Sequence, residues 1–233
     1  MRAPFQGVLQ IVRFNWPFYV ASTVVIAVTT LLGGLFTIVA AGATYMTVAS
    51  LAASYWVYDH SDLYTLRWLD DALPTPCRQA VNLHAGLDEF TLLLQSRYPA
   101  STWRTADFYD PAEMTEASIA RARTAGADPL DYRHWPYADA SLDAVSFLFA
   151  AHEIRHAEGR QALFAEALRT LRPGGRLLVV EHLRDLPNLL VYGPGAFHFF
   201  RRRTWLDAWP GFALIGERRM TAFTRLFLLE KPC

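Results

Sequence analysis

Residues 142–182 read LDAVSFLFAAHEIRHAEGRQALFAEALRTLRPGGRLLVVEH. LDAVSFLFAA is a short continuous apolar run, which predicts a strand covered on both faces. EGRQALFAEALRTL carries the spacing of an amphipathic helix. Pro173 stops that helix, and Gly174 and Gly175 permit a tight reversal. RLLVVEH is then a second buried strand. Strand, helix and strand in this order make the unit of a parallel sheet.

The alternation continues outward. Upstream, RQAVNL (78–83) and STWRTADFY (101–109) read as strands, and DEFTLLLQSRY (88–98) as a helix. PAEMTEASIARARTAG (111–126) reads as a helix with proline at its start and glycine at its end. Downstream, FALIGERRM (212–220) and TRLFLLEKP (224–232) form two strands joined by a short turn, an antiparallel edge. The expected fold class is α/β, a doubly wound Rossmann-like sheet over residues 78–233 with that antiparallel strand pair. DHSDLYTLRWLDDALPTP (59–76), with Ser61 as N-cap and two closing prolines, predicts a short amphipathic helix and linker over 61–77.

From Phe14 to Tyr58 there is no Asp, Glu, Lys, Arg or His. A bilayer core is crossed by about 20 apolar residues, and this stretch is about twice that. Residues 1–60 are therefore expected to form a transmembrane hairpin of two helices reversing at Gly33-Gly34, with the lipid bilayer as partner through residues 14–58. Trp16, Tyr19, Tyr55, Trp56 and Tyr58 mark the interfaces. Arg2 and Arg13 before the hairpin and Arg67 after it place the rest on the cytoplasmic side of the cell (inner) membrane. Ala41, Gly42, Ala43, Ala49, Ser50, Ala53 and Ser54 let the helices approach closely. A cleaved signal ending near AAGA is the rival, but its apolar core would be much shorter. A net charge of +0 leaves no basic footprint, so no nucleic-acid partner is expected. Cys77 and Cys233 form neither a disulfide framework nor a zinc spacing.

Doubly wound sheets bind ligands beyond the carboxyl ends of their strands. That picks out NLHAGLDEF (82–90), ADFYDP (106–111), LDYRHWPYADASLDAV (130–145) and FAAHEIRH (149–156). The spacing from Gly86 to Asp107 suits a glycine turn and its acidic partner. Asp107 and Asp110 read equally well as a strand end and a helix cap. H-E-x-x-H at 152–156 has zinc spacing on paper, but a long helix and a third ligand are lacking, so no metal is expected.

WPYADASLDAVSFLFAAHEI (135–154) followed by ALFAEALRTLRPGGRLLVVEH (162–182) resembles the class I S-adenosylmethionine-dependent methyltransferases, in the branch of the ubiquinone/menaquinone C-methyltransferases. That family reads L-P-F-x-D-x-S-F-D-x-V and then L-R-P-G-G-x-L. The resemblance covers residues 78–233 and leaves the hairpin outside. It implies S-adenosylmethionine as cofactor, with Asp107 holding the ribose, Asp131 the adenine amino group and Tyr132 beside the ring. It also puts Met114 in the helix after the second strand. The family's D-x-G-x-G-x-G is replaced by Asn82, His84, Gly86 and Asp88, a cofactor loop with altered contacts. Asn82 and His84 would supply hydrogen bonds, and Asp88 or Glu89 acceptors for the methionine ammonium.

On that frame His152, Glu153 and His156 lie at the carboxyl edge of the sheet. His152 is the first candidate for a base or acceptor-orienting group. LPNLLVYGPGAFHFF (186–200), apolar and broken by Pro and Gly, would cover the acceptor, with Tyr192 and His198 touching it. The expected function is a membrane-anchored methyltransferase acting on a hydrophobic lipid- or quinone-like small molecule. A catalytically silent methyltransferase-fold protein binding at the membrane is the alternative. A nicotinamide oxidoreductase is disfavoured, because the glycines that let a pyrophosphate approach are absent.

Overall fold

The computed structural model describes residues 3–124 and 128–233. Arg2 and Gly126, read above as a flanking charge and a helix-ending glycine, lie outside the described residues. The strands are β1 (Gln79–His84), β2 (Thr102–Asp107), β3 (Asp128–Pro129), β4 (Leu142–Leu148), β5 (Leu171–His182), β6 (Ala213–Arg219) and β7 (Thr224–Glu230). They form a 7-stranded sheet in the order β3-β2-β1-β4-β5-β7-β6. β1 to β5 pair in parallel, and β7 runs antiparallel between β5 and β6. The order reverses between β1 and β4, which opens a crevice at their carboxyl ends.

The central strands are buried on both faces because their side chains alternate between two cores. Val145, Phe147, Leu177 and Val179 face Leu163, Phe164, Trp205 and Trp209. Ala144, Leu148, Leu178 and Val180 face Leu63, Leu69, Leu94 and Trp103. The first layer is built by α6 (Ala157–Thr170) and α8 (Arg202–Leu206), the second by α4 (Thr91–Arg97) and residues 63–73. The two halves of the motif meet physically. Arg172 of the Pro-Gly-Gly turn bonds Asp143 Oδ1 at 2.7 Å, while Asp143 Oδ2 accepts from the N–H groups of Arg78 and Gln79 at 2.8 Å. Asp143 thus pins the start of β1 to β4 and to the turn.

Two helix expectations need correction. Among the described residues of the expected helix 111–126, only Ala117–Ala122 is helical, and it is labelled α5. Asp110 holds a turn instead, accepting from the N–H groups of Ala112, Glu113 and Met114, and Met114 is drawn into the core. No α-helix forms over 61–77. A π turn at Trp56–His60 is followed by 3-10 turns at Asp62–Thr65 and Arg67–Leu69, interrupted where Leu66 takes φ 57. Ser61 does cap, accepting from Leu63 N at 3.2 Å. Burial of Leu63, Leu66, Trp68 and Leu69 against the sheet outweighs local helix propensity here.

Before the sheet come α1 (Gln6–Phe14), α2 (Trp16–Leu32) and α3 (Phe36–Tyr55). α1 was not legible in the sequence. Its first N–H groups, of Gly7 and Val8, both bond the Asp59 carboxylate at 2.8 Å, as a helix N-terminus favours an anion. A Cβ on Gly7 would come within 2.4 Å of Tyr58 Cβ, so only glycine permits this approach. α2 and α3 reverse at Gly33 and Gly34, both at positive φ, and pack along each other, with Ser22 Oγ 2.7 Å from Thr47 Oγ1. Among the described residues, one helix, 36–65, is long and apolar enough by itself to cross a membrane; α1 and α2 qualify only as one span bent by 80°.

Candidate active site

The carboxyl edges of β1, β4 and β5 floor a cavity of about 810 Å³. α1, α2 and α3 roof it with Phe14, Phe18, Tyr19, Ser22, Met46, Ser50 and Ser54. α7 (Leu186–Tyr192) and the turn Gly193–His198 close one side with Tyr192, His198 and Phe199. The hairpin is therefore part of the site and not an appendage. Tyr19 and Tyr58, read as interface markers, line this cavity.

At its floor lies a chain of titratable groups. His152 Nδ1 bonds Glu181 Oε2 at 2.7 Å, and His152 Nε2 contacts Glu153 Oε1 at 3.0 Å. His198 Nε2 stands 3.7 Å from the same Glu153 oxygen, and its Nδ1 is 3.3 Å from Glu116 Oε1. Burial alone would lower the His152 pKa, but Glu181 and Glu153 overcome it and raise it to about 10. Burial would raise Glu153, but His152 and His198 hold it down at about 2. His152 is thus an imidazolium clasped by carboxylates.

His182, at the end of β5, is the opposite case. Burial, with His152 nearby, pushes it down to about 4. Its Nδ1 lies 3.0 Å from the Phe223 carbonyl, which can only accept, so Nε2 accepts from the Tyr58 hydroxyl at 2.9 Å. Phe199 stacks on the ring at 4.8 Å. The Tyr192 hydroxyl is buried beside Ser54, neither completing a hydrogen bond, and burial raises its pKa, so it remains a phenol.

The cofactor candidates divide. Glu89 lines the cavity with Ala85 and Leu87, and its carboxylate accepts from Tyr64. Asn82 and Asp88 face the α4 side and are spent on one another, a correction to their reading as cofactor contacts. Asn82 Nδ2 donates to Asp88 and Thr91 and its Oδ1 accepts from Ser146; Asp88 accepts from Phe90 N, Thr91 N and Thr105. His84 is 3 % exposed, and neither ring nitrogen has a hydrogen-bond partner; burial lowers its pKa, so it is neutral.

Asp107 Oδ1 accepts from Gly86 N at 2.7 Å and Tyr109 N at 2.9 Å, bracing the loop. Asp131 is corrected: it is half-exposed, accepts from Arg133 N in its own turn, and stands outside the cavity. Tyr132 is corrected as well, being buried with its hydroxyl on Glu113 at 2.6 Å. His156 is exposed at the start of α6, and His152 and Glu153 lie on a separate 3-10 turn, so the H-E-x-x-H spacing does not share one helix face.

Gly86 keeps the positive φ (+87°) of a cofactor turn, but α5 lies across it. A Cβ there would meet Ile119 at 3.4 Å and Arg123 at 3.6 Å, and Thr124 N bonds the Gly86 carbonyl at 2.8 Å. Arg121 ties α5 to the roof by donating to the Phe14 carbonyl at 2.5 Å. S-adenosylmethionine thus fits at its methionine end, where Glu89 and the backbone of residues 85–87 border open space. At the ribose end Asp107 is buried against the backbone of Gly86 and Tyr109, outside the cavity lining, and α5 covers the turn.

Residues 95–179 match the model of a family described as methyltransferase domain. Over 125 residues the chain is 31% identical to a demethylmenaquinone methyltransferase of Thermus thermophilus, covering 50% of this chain and 54% of the relative. Over 123 residues it is 27% identical to the ubiquinone/menaquinone biosynthesis C-methyltransferase UbiE of Desulfotalea psychrophila, covering 52% and 48%. The chain spans about half the length of the curated relatives it matches. The solved structure of the pyocyanin biosynthetic protein PhzM superposes with a TM-score of 0.59 at 13% identity, over 95% of this chain and 72% of that one. That match extends past the sheet into the N-terminal helices, which the sequence resemblance left outside.

The sheet order and the matching region define a class I S-adenosylmethionine-dependent methyltransferase domain. It is an enzyme domain whose cofactor is S-adenosylmethionine, similar at low identity to the quinone-pathway C-methyltransferases just described.

Proposed function

We propose that the whole chain transfers a methyl group from S-adenosylmethionine to a hydrophobic, hydroxyl-bearing ring compound of the quinol type, at a membrane surface. The observation that carries this reading is the His152 centre in the wall of a cavity roofed by apolar helices. When bound, the cofactor supplies a methyl group on a cationic sulfur. Glu89 would accept from its ammonium and Asp107 from its ribose.

The chain's own part is to align the acceptor and favour its ionised form. An imidazolium at His152 would hold an acceptor oxygen as its anion by turning its Nε2–H from Glu153 to that oxygen, while Nδ1 stays on Glu181. Phe149, Phe199 and Tyr192 offer ring faces to a flat acceptor.

The membrane contact is read from the outer half of the hairpin. Leu31 is 87% exposed and Leu35 83%, with Val24, Val28, Ile38 and Val39 also exposed, whereas Phe18, Tyr19, Ser22, Met46, Ser50 and Ser54 line the cavity. The free tip, residues 24–39, reaches about 13 Å at ~1.5 Å per residue, enough for one leaflet of a ~30 Å core. An acceptor dissolved in that leaflet would meet the roof of the cavity directly. Arg13 and Arg67 stay with the sheet, on the cytoplasmic side.

The test is transfer of labelled methyl from S-adenosylmethionine to a demethylated quinol in lipid vesicles, beside equilibrium cofactor binding. Saturable binding with turnover lost in His152→Gln supports the proposal. A second reading, a silent methyltransferase-fold binding protein, draws on α5 lying across Gly86. No cofactor binding at millimolar concentration would favour it.

A further inference from the structure

We propose that His152, Glu153 and His198 bind one divalent transition-metal ion, zinc first, in the cavity wall. Three residues from two separate segments converge. His152 Nε2 lies 3.0 Å and His198 Nε2 3.7 Å from Glu153 Oε1, and the candidate ligand atoms all lie within 4.8 Å of one another. A tetrahedral zinc with ligands at about 2.0–2.1 Å separates neighbouring donors by about 3.3 Å. The observed set needs only side-chain adjustment to reach that spacing. Two histidines and one carboxylate with the remaining positions open is a ligand set of catalytic zinc and of non-haem iron.

The surroundings supply an independent observation. Metal-bound imidazoles characteristically give their other ring nitrogen to a carboxylate or a carbonyl. Here His152 does so, with Nδ1 on Glu181 at 2.7 Å, and His198 Nδ1 faces the Glu116 carboxylate at 3.3 Å as an ion-pair contact. Glu181 has no exposed surface, so its place beside His152 is fixed by the core. With both Nδ1 atoms so engaged, both Nε2 atoms are aimed at the same oxygen of Glu153. Arg155 Nη1 then donates to the carbonyls of His152 and His198, at 3.1 and 2.6 Å, clamping together the two segments that carry the ligands. All three ligands border the cavity, so an acceptor oxygen would reach the open coordination position. With the metal bound, His152 Nε2 is a ligand and no longer an N–H donor, so the ion would take over the holding of an acceptor oxygen; the site itself stands whether or not methyl transfer occurs.

The experiment uses the full chain, stripped with a chelator and titrated with Co²⁺ and then Zn²⁺. One Co²⁺ per chain is expected, with the visible absorption of a four- or five-coordinate ion, displaced by equimolar zinc. His198→Gln and Glu153→Gln should each weaken binding more than 100-fold, and Glu181→Gln about 10–100-fold. Circular dichroism melts check that each variant is folded, and Glu116→Gln, at the half-exposed end of the cluster, provides a milder variant with a smaller loss. In ¹⁵N spectra, zinc should remove the proton from His152 Nε2. Substoichiometric binding, or one-to-one binding that His198→Gln leaves unchanged, overturns the proposal. Metal binding without cofactor binding would instead uphold it and sink the methyl-transfer reading.

Discussion

His152, just beyond β4, and Glu181 of the neighbouring β5 meet Nδ1 to Oε2 at 2.7 Å, with Glu181 wholly buried. The pair sets the ring's charge and direction before any ligand arrives. Replacing the carboxylate while keeping its shape separates these two effects. In Glu181→Gln the imidazolium loses its buried counter-charge, and breaking such a pair costs about 3–5 kcal/mol. Urea unfolding should show that loss, and the His152 titration should move down from about 10. An unchanged midpoint in urea would refute the pairing.

The same centre predicts a pH profile for the metal-free protein. His152 is raised from 6.5 to about 10, so its stabilisation is complete below about pH 6.5 and fades as pH climbs through 10. Glu153 is lowered from 4.5 to about 2, so its share is complete above about pH 4.5 and fades as pH falls through 2. Stability from this cluster should therefore be flat between about pH 4.5 and 6.5 and decline toward pH 10. Denaturant unfolding at pH 5.5, 8 and 10 checks it, and His152→Gln should flatten the alkaline limb.

α5 covers the turn that a ribose would approach, tied down by the bond from Arg121 to the Phe14 carbonyl. Removing that tie in Arg121→Ala should raise S-adenosylmethionine affinity by about 10-fold, since an exposed hydrogen bond from a charged group lies at the low end, about 1.5 kcal/mol, of what such bonds contribute. Isothermal titration reads it directly. Weaker binding in that variant would mean that α5 forms part of the site.

Leu31 and Leu35 are the most exposed apolar residues of the hairpin tip. Leu31→Asp with Leu35→Asp should abolish flotation with lipid vesicles and leave the melting temperature nearly unchanged, because surface changes seldom exceed ~0.5 kcal/mol. Retained flotation would show that the bilayer is not what this surface meets.

Gly86→Ala tests the loop. With φ at +87° and Ile119 at 3.4 Å from the added Cβ, the change should destabilise by about 1–2 kcal/mol and impair cofactor binding. Thermal melts and titration report the two effects separately.

Some of this was fixed by local chemistry and could be read directly. The strand–helix–strand rhythm, the Pro-Gly-Gly reversal and the apolar, charge-free stretch are properties of neighbouring residues, and the fold followed from them. Asp143 and Arg172 sit in the two motif halves because one bonds the other. His152 and Glu153, singled out by the sequence, both line the cavity. Glu181 had a faint signal, a carboxylate closing an apolar run, since a buried charge needs a partner. Tertiary structure decided the rest. Which face of β1 carries Asn82, that Asp131 stays outside the cavity, and that His198 reaches Glu153 all depend on contacts between segments far apart in the chain. Hydrophobicity marked residues 14–58 as apolar but could not say which side packs over the sheet. Packing turned the lower half of that hairpin into the roof of the cavity and left its tip uncovered.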